Sequence, residues 1–224
     1  MGTDLGMEIA AWLQGIGTIA AVIIALFLEL FLVWWRRPRF NFTVSSDPKD
    51  RDLTMASRPQ RDHYVCWLRG RVYVAEGKKP AINTEVIVQD WRSPGDQDVP
   101  FAHGSSLHWA NSNAELVRIA PATWRRVDLL TWMAGISEQG TPVLWISVQQ
   151  AQKYPPQPWF HLTEAGSYEL DLVIVADNSI TSRWQLSFTY SPKVVETLDD
   201  LRESVRDIRL TSKDRGRSRH NKVR

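Results

Sequence analysis

"LTEAGSYELDLVIVADN", Leu162 to Asn178, decides the fold class. Leu162, Gly166, Tyr168, Leu170, Leu172, Ile174, Ala176 and Asn178 fall at even spacing, with polar residues between several of them. Side chains of a strand alternate between two faces, so a period of two marks a strand with one face buried.

The same period runs outward in both directions. "RFNFTV" (39–44) alternates Phe40, Phe42 and Val44, and "HYVCWLRGRVYVAE" (63–76) carries Tyr64, Cys66, Leu68, Val72 and Val74. A bulge or register change is expected in the latter near Gly70. "NTEVIVQDW" (83–91), "TWRRVDLLTWMA" (123–134), "PVLWISVQQ" (142–150) and "TSRWQLSFTY" (181–190) complete seven or eight strands. Turn formers punctuate them at 77–80, 94–95, 140–142 and 155–158. Many short strands between turn signals predict an all-β sandwich or small barrel.

The Leu-Gly-Tyr arrangement at Leu162, Gly166 and Tyr168 resembles the sixth strand of fibronectin type III and related immunoglobulin-like domains. That resemblance implies a tyrosine corner, with the phenol bonding back to the backbone near the turn. "KKPAINTEVIV" (78–88) resembles the second or third strand of bacterial members of that fold. The paired cysteines of antibody domains are absent. The expected architecture is all-β, an immunoglobulin-like antiparallel β-sandwich over 39–193, tethered to an N-terminal transmembrane helix and followed by a short C-terminal helix.

The tether is "IGTIAAVIIALFLELFLVWWRRPRF", 16–40, the most apolar part of the chain. Residues 9–35 would span roughly 40 Å as a helix, against a hydrocarbon core of about 30 Å. Trp34 and Trp35 followed by Arg36, Arg37 and Arg39 form an interfacial belt and a basic stop. The first residues carry Asp4 and Glu8 but no Lys or Arg, and the apolar run ends in bulky aromatics, unlike a cleaved signal peptide. Residues 1–8 are therefore expected as an extracytoplasmic stub before an uncleaved anchor. The positive-inside rule places the N-terminus out and the β domain in the cytosol, at the plasma (inner) membrane. The single cysteine, Cys66, precludes an intrachain disulfide and suits that compartment. The opening "WLQGIGTIAAVIIAL" through "RRPR" resembles the start of many uncharacterised bacterial single-pass membrane proteins, which implies topology and no activity.

Gly17, Ala21, Ala25 and Glu29 recur every fourth residue along one stripe of this helix. Small residues so spaced allow close helix approach in lipid. Glu29 marks either a helix–helix contact or the level of the inner headgroups.

Past "TYSP", Val194, Leu198, Leu201, Val205 and Ile208 recur at spacings of 4, 3, 4 and 3. They predict an amphipathic helix over 194–210, capped by Thr197 and Asp200, which docks on the sandwich or self-associates. The tail 211–224 is basic, and the rest of the chain has more acidic than basic side chains. It is expected to be disordered and to meet anionic lipid before nucleic acid.

Catalytic patterns are weak. His103 and His108 lie five apart without accompanying Cys or carboxylate ligands, and Gly104-Ser105-Ser106 is no nucleophile elbow. Asp96 and Asp98 suit a solvated turn, and "GIGTIAA" sits inside the apolar helix. No cofactor or metal is expected. Segment 100–116 has no clean period and reads as a long loop or short helix, where binding residues concentrate. His103, His108, Trp109 and Trp159 are the candidate partner contacts, the two Trp as exposed anchors. The leading expectation is a membrane-anchored, non-enzymatic binding, sensor or scaffold module with a protein partner and self-association through either helix. The alternatives are an extracytoplasmic binding or adhesion domain of opposite topology, and a membrane-attached enzyme with its site in 100–116.

Overall fold

The computed structural model describes residues 3–58, 61–95, 104–110, 112, 114, 116–134, 142–148 and 161–214. It divides into two units, an N-terminal helical unit up to Arg37 and a β-rich unit from Pro38 onward.

Helix α1 runs from Thr3 to Trp35. It starts before the expected boundary at residue 9, so the predicted stub is helical from Thr3, even across Gly6, which weakens a helix without ending it. Trp12–Trp35 has a mean hydropathy of 2.7 and is long and apolar enough to cross a membrane, as an anchor or a signal sequence would be. The hydroxyl of Thr18 donates to the Gln14 carbonyl at 2.8 Å, which satisfies it within the helix. Pro38 ends the element, because it lacks an N–H and disfavours helical geometry in the residue before it.

In the β-rich unit the strands are β1 (Phe40–Val44), β2 (Asp52–Arg58), β3 (Arg61–Val74), β4 (Ala81–Arg92), β5 (Ser105–Ser106) and β6 (Val117–Ile119). They continue with β7 (Trp124–Met133), β8 (Val143–Ile146), β9 (His161–Leu162), β10 (Gly166–Val175), β11 (Ser182–Tyr190) and β12 (Val205–Ser212). A six-residue helix, α2 (Leu198–Glu203), precedes the last strand. Two antiparallel sheets result. The first has the order β1-β3-β7-β8-β9 with β2 also on β3; the second has β12-β11-β10-β4-β5 with β6 also on β4.

Their apolar faces share one core. Cys66, Leu68, Val72 and Val74 of β3 are buried, as are Tyr168, Leu170, Leu172 and Ile174 of β10 and Leu186, Phe188 and Tyr190 of β11. Each fully buried Leu or Phe contributes about 1.5–3 kcal/mol. Phe42 of the first sheet meets Trp184 of the second edge-on, ring centroids 5.9 Å apart. The Tyr190 hydroxyl donates to the Pro142 carbonyl at 2.6 Å, and the Trp132 indole N–H donates to the Leu201 carbonyl at 2.6 Å.

The register change expected near Gly70 occurs between Leu68 and Arg69 in the pairing of β3 with β7, although the extra residue is on β7. The buried residues of β3 stay in one phase through Gly70; Leu68 pairs with Leu130 and Arg69 with Asp128, leaving Leu129 of β7 bulged. A second bulge at Gln89 of β4 turns Trp91 inward, against Tyr168.

The C-terminal helix is much shorter than 194–210. The cap is as expected: the Asp200 N–H donates to Thr197 Oγ1 at 3.1 Å and the Thr197 N–H to the Asp200 carboxylate at 2.9 Å. Val205 and Ile208, however, lie on β12, which pairs with β11. Asp207 adopts a positive φ of 52°, and the pairing gains an extra residue on β12 there. That bulge puts two inward residues three apart, and three is also a helical spacing. The β unit accordingly extends beyond residue 193 to Ser212. Most of the basic tail lies outside the described residues.

Candidate functional site

The outer face of the first sheet carries an unusual row. On β3, Arg69, Arg71 and Tyr73 alternate with the buried Leu68, Val72 and Val74, Arg69 lies over the half-buried Trp67 ring at 5.4 Å, and Trp124, Arg126 and Asp128 share that face of β7. Pairing places Tyr73 opposite Trp124, Arg71 opposite Arg126, and Arg69 opposite Asp128. Like charges directly opposite are destabilising. Here they are relieved by the Trp124 ring, which carries Arg71 at 5.4 Å and Arg126 at 5.2 Å from its centroid. Asp52 takes Arg69 at 2.5 Å and Arg126 at 3.5 Å.

Asp128 links this row to the preceding segment. Arg69 Nε donates to its Oδ1 at 2.6 Å, and His108 Nδ1 lies 3.3 Å from Oδ2. Burial opposes the Arg69 charge, but the Asp128 and Asp52 carboxylates outweigh it and hold the guanidinium above its ordinary value.

At the end of β7 the row opens into a cavity of about 560 Å³ lined by Trp109, Ser112, Val117, Arg118, Trp124, Arg125 and Arg126. That is a common size for a small-ligand site. A neighbouring cavity of about 220 Å³, with Asp50, Asp52, Arg69 and Arg71, shares Arg126 as its wall. The turn before Trp124 is strained: Ala122 has a φ of 56°, held by its N–H bond to the Val74 carbonyl at 3.0 Å. This turn sets where Trp124 and Arg125 begin. Guanidinium and indole groups bind anions and planar faces. Neither titrates in the ordinary pH range, so they suit recognition better than proton transfer.

The expected candidates fall unevenly around this site. Trp109 lines the larger cavity but is only 1% exposed, so it is no surface anchor. Its segment is extended: Leu107 bridges to Val148 and Trp109 to Val127, with Ser105, Leu107 and Trp109 all buried. The alternation was hidden because its first inward residue is a serine. His108 is half-buried and held by Asp128. His103 and Trp159 lie outside the described residues. Ser106 instead donates to Glu85. Among the described residues no group of His, Cys, Asp and Glu is placed to hold a metal ion.

On α1, Gly17, Ala21, Ala25 and Glu29 follow one face, and a Cβ at Gly17 would meet open space. Phe31 stacks on Trp35 at 5.8 Å and lies 6.2 Å from Trp34, an aromatic cluster ahead of Arg36 and Arg37.

Arg51 is a second unusual group. It is 4% exposed and lies over the Trp132 ring at 5.7 Å. Its Nε and Nη1 have no hydrogen-bond partner among the described residues, and burial lowers its pKa. The nearby Cys66 thiol is pushed up to about 12, chiefly by burial. Neither group lines the cavities described above.

No protein family, curated protein or solved structure matches this chain.

Proposed function

We propose that this chain is a single-pass, membrane-anchored recognition module without catalytic activity, a sensor or scaffold component that binds anionic groups. The observation that carries this reading is the cavity where Arg118, Arg125 and Arg126 meet Trp124. It offers three guanidinium groups, of which Arg126 is held by Asp52 and the Trp124 ring, beside a planar aromatic wall, and Arg118 and Arg125 have no carboxylate partner among the described residues.

Two further features support the module's form. Strand order favours an immunoglobulin-like β-sandwich. β1-β3-β7 in one sheet and β4-β10-β11 in the other correspond to the A-B-E and C-F-G sets of that fold. The Tyr168 hydroxyl also makes the expected corner, donating to the Glu164 carbonyl at 2.7 Å. Residues 12–35 support the anchor, and the Arg36, Arg37 and Arg39 cluster supports an N-out orientation with the β unit in the cytosol.

The reading is tested on the full chain in detergent. Titration with inorganic pyrophosphate should change tryptophan emission saturably, and Arg118→Ala with Arg125→Ala should abolish the change. An unchanged emission, or one indifferent to both substitutions, overturns the anion site. A cytosol-dependent reporter fused after Arg224 should be active; an inactive one beside an active export reporter overturns the orientation.

A further inference from the structure

Strand register gathers one end of the β unit around the point where the chain arrives from α1. Phe40, the first residue of β1, pairs with Val74, and the adjacent Tyr73 pairs with Trp124. Ala81 at the start of β4 pairs with Ile119 of β6. Asn178 donates to the Pro80 carbonyl at 2.9 Å, which brings in the turn between β10 and β11. Lys213 N–H donates to the Arg183 carbonyl at 2.8 Å, so β12 leaves the unit at this end too. The segment from the apolar helix and the segment leading to the basic tail thus share one end.

That end has its own surface chemistry. Ile82 is 44% exposed, Leu116 48%, Trp124 50% and Ile180 55%. Among the described residues of the β unit, the other exposed large apolar side chains are Tyr64, Val194 and Leu198, toward the opposite end. Exposed apolar residues scattered singly need no explanation, but four at one end do. Cations lie among them: Lys79, Arg118, Arg125 and Arg183. The acids nearby are Glu76, Asp177 and Asp214; Asn83 engages Asp177 at 2.7 Å, and Asp214 accepts from the Arg183 N–H at 3.1 Å. Apolar and aromatic side chains interleaved with Arg and Lys characterise surfaces that rest at a lipid headgroup layer. Only residues 36–39 separate the last helical residue from β1, and four residues reach at most roughly 14 Å.

We infer that this end of the β unit docks on the anionic surface of the membrane that holds α1. Trp124 and Ile180 enter the headgroup layer, and Arg118 and Arg125 pair with lipid phosphates at the mouth of the larger cavity. The occupant is a bilayer containing anionic phospholipid. The inference rests on the anchor reading and adds an orientation to it: the domain rests on lipid and presents its opposite end, around α2, to the cell.

The full chain is reconstituted into phosphatidylcholine vesicles, with or without phosphatidylglycerol. A fluorophore is attached at Ile180→Cys or, as control, at Val194→Cys; Cys66 is fully buried and stays unlabelled. Nitroxide-headgroup lipid should quench the label at 180 and spare that at 194, more strongly with phosphatidylglycerol present. Arg118→Glu with Arg125→Glu should weaken docking by about fivefold or more per cation removed. Equal quenching at both positions, or none at 180, overturns the inference, as does indifference to both charge reversals. An alkaline wash separates the two readings. Protein released by the wash defeats the anchor itself, whereas protein retained but unquenched at 180 defeats only the docking.

Discussion

The Tyr168 hydroxyl donates to the carbonyl of Glu164, four residues earlier, at 2.7 Å, and its ring lies stacked between Trp91 and Phe188. One side chain thus ties the turn before β10 to the middle of the core. Tyr168→Phe keeps the stacking and leaves the carbonyl unpaired. It should cost about 1–2 kcal/mol, read as a lower urea midpoint with an unchanged slope. A midpoint identical to the parent would show that the corner is incidental.

Alkaline pH should weaken the fold through the same residue, through Cys66 and through Tyr190, whose phenol burial also pushes up. Burial, followed by the nearby Glu164 charge, pushes the Tyr168 phenol up to about 12, and burial does the same to the Cys66 thiol. All three folded values lie above the unfolded ones, so their stabilisation is complete only below about pH 8, under the unfolded thiol's value. It is lost as the pH rises toward 12, because the unfolded chain releases these protons first. Urea midpoints should be flat from pH 7 to about 8 and fall above that. A thiol reagent should modify Cys66 only as the domain unfolds; rapid labelling of the native chain would contradict the burial.

Gly70 is required by its neighbour across β1. A Cβ there would run into the Phe42 ring and come within 3.2 Å of Leu129 Cδ1. Gly70→Ala should therefore destabilise by about 1–3 kcal/mol through overpacking. Phe42→Leu in the same chain should recover part of the loss, a coupling visible in a double-mutant cycle. Strict additivity would place the cost in the backbone instead.

Ion pairs on the two sheets should differ in worth. The Arg69 and Asp128 side chains are 19% and 9% exposed, whereas those of Arg92 and Glu169 are 64% and 41% exposed. Arg69→Ala removes the closer partner of a buried carboxylate, leaving it the longer His108 contact, and should cost about 2–4 kcal/mol. Arg92→Ala should cost less than about 1 kcal/mol and vary with salt. Thermal unfolding of the two variants in parallel decides this, and equal losses would refute the ranking.

Much of the sheet structure was legible because long strands alternate cleanly, as from Tyr168 to Ile174. What escaped was short or bulged. β5, β6 and β9 have two or three residues and no room for a period. β12 imitated a helix because its bulge at Asp207 spaces Val205 and Ile208 three apart. The candidate site was hidden for a different reason. Arg71 meets Arg126, and Trp124 receives both, only through the register of β3 on β7, which joins positions 55 residues apart in sequence. Trp109 looked like a loop residue because bridges to distant strands, not local alternation with apolar partners, bury it. The apolar helix needed no pairing information, since its length and composition are local properties.

The helix offers the last test. Gly17, Ala21 and Ala25 form a shallow stripe on α1 that ends at Glu29, and small residues every fourth position let a second helix approach closely. If that stripe is a contact between two copies, Gly17→Ile with Ala21→Ile should block the approach by filling it. Glu29→Leu should weaken the pair as well, because a carboxyl within a helix seam hydrogen-bonds across it. If Glu29 instead sits at the inner headgroups, its replacement should leave association intact while the Ile pair still disrupts it. Crosslinking of the full chain in membranes distinguishes these outcomes by the yield of dimer. Undiminished dimer in both variants would exclude the stripe as a contact and leave Glu29 as a marker of the membrane boundary.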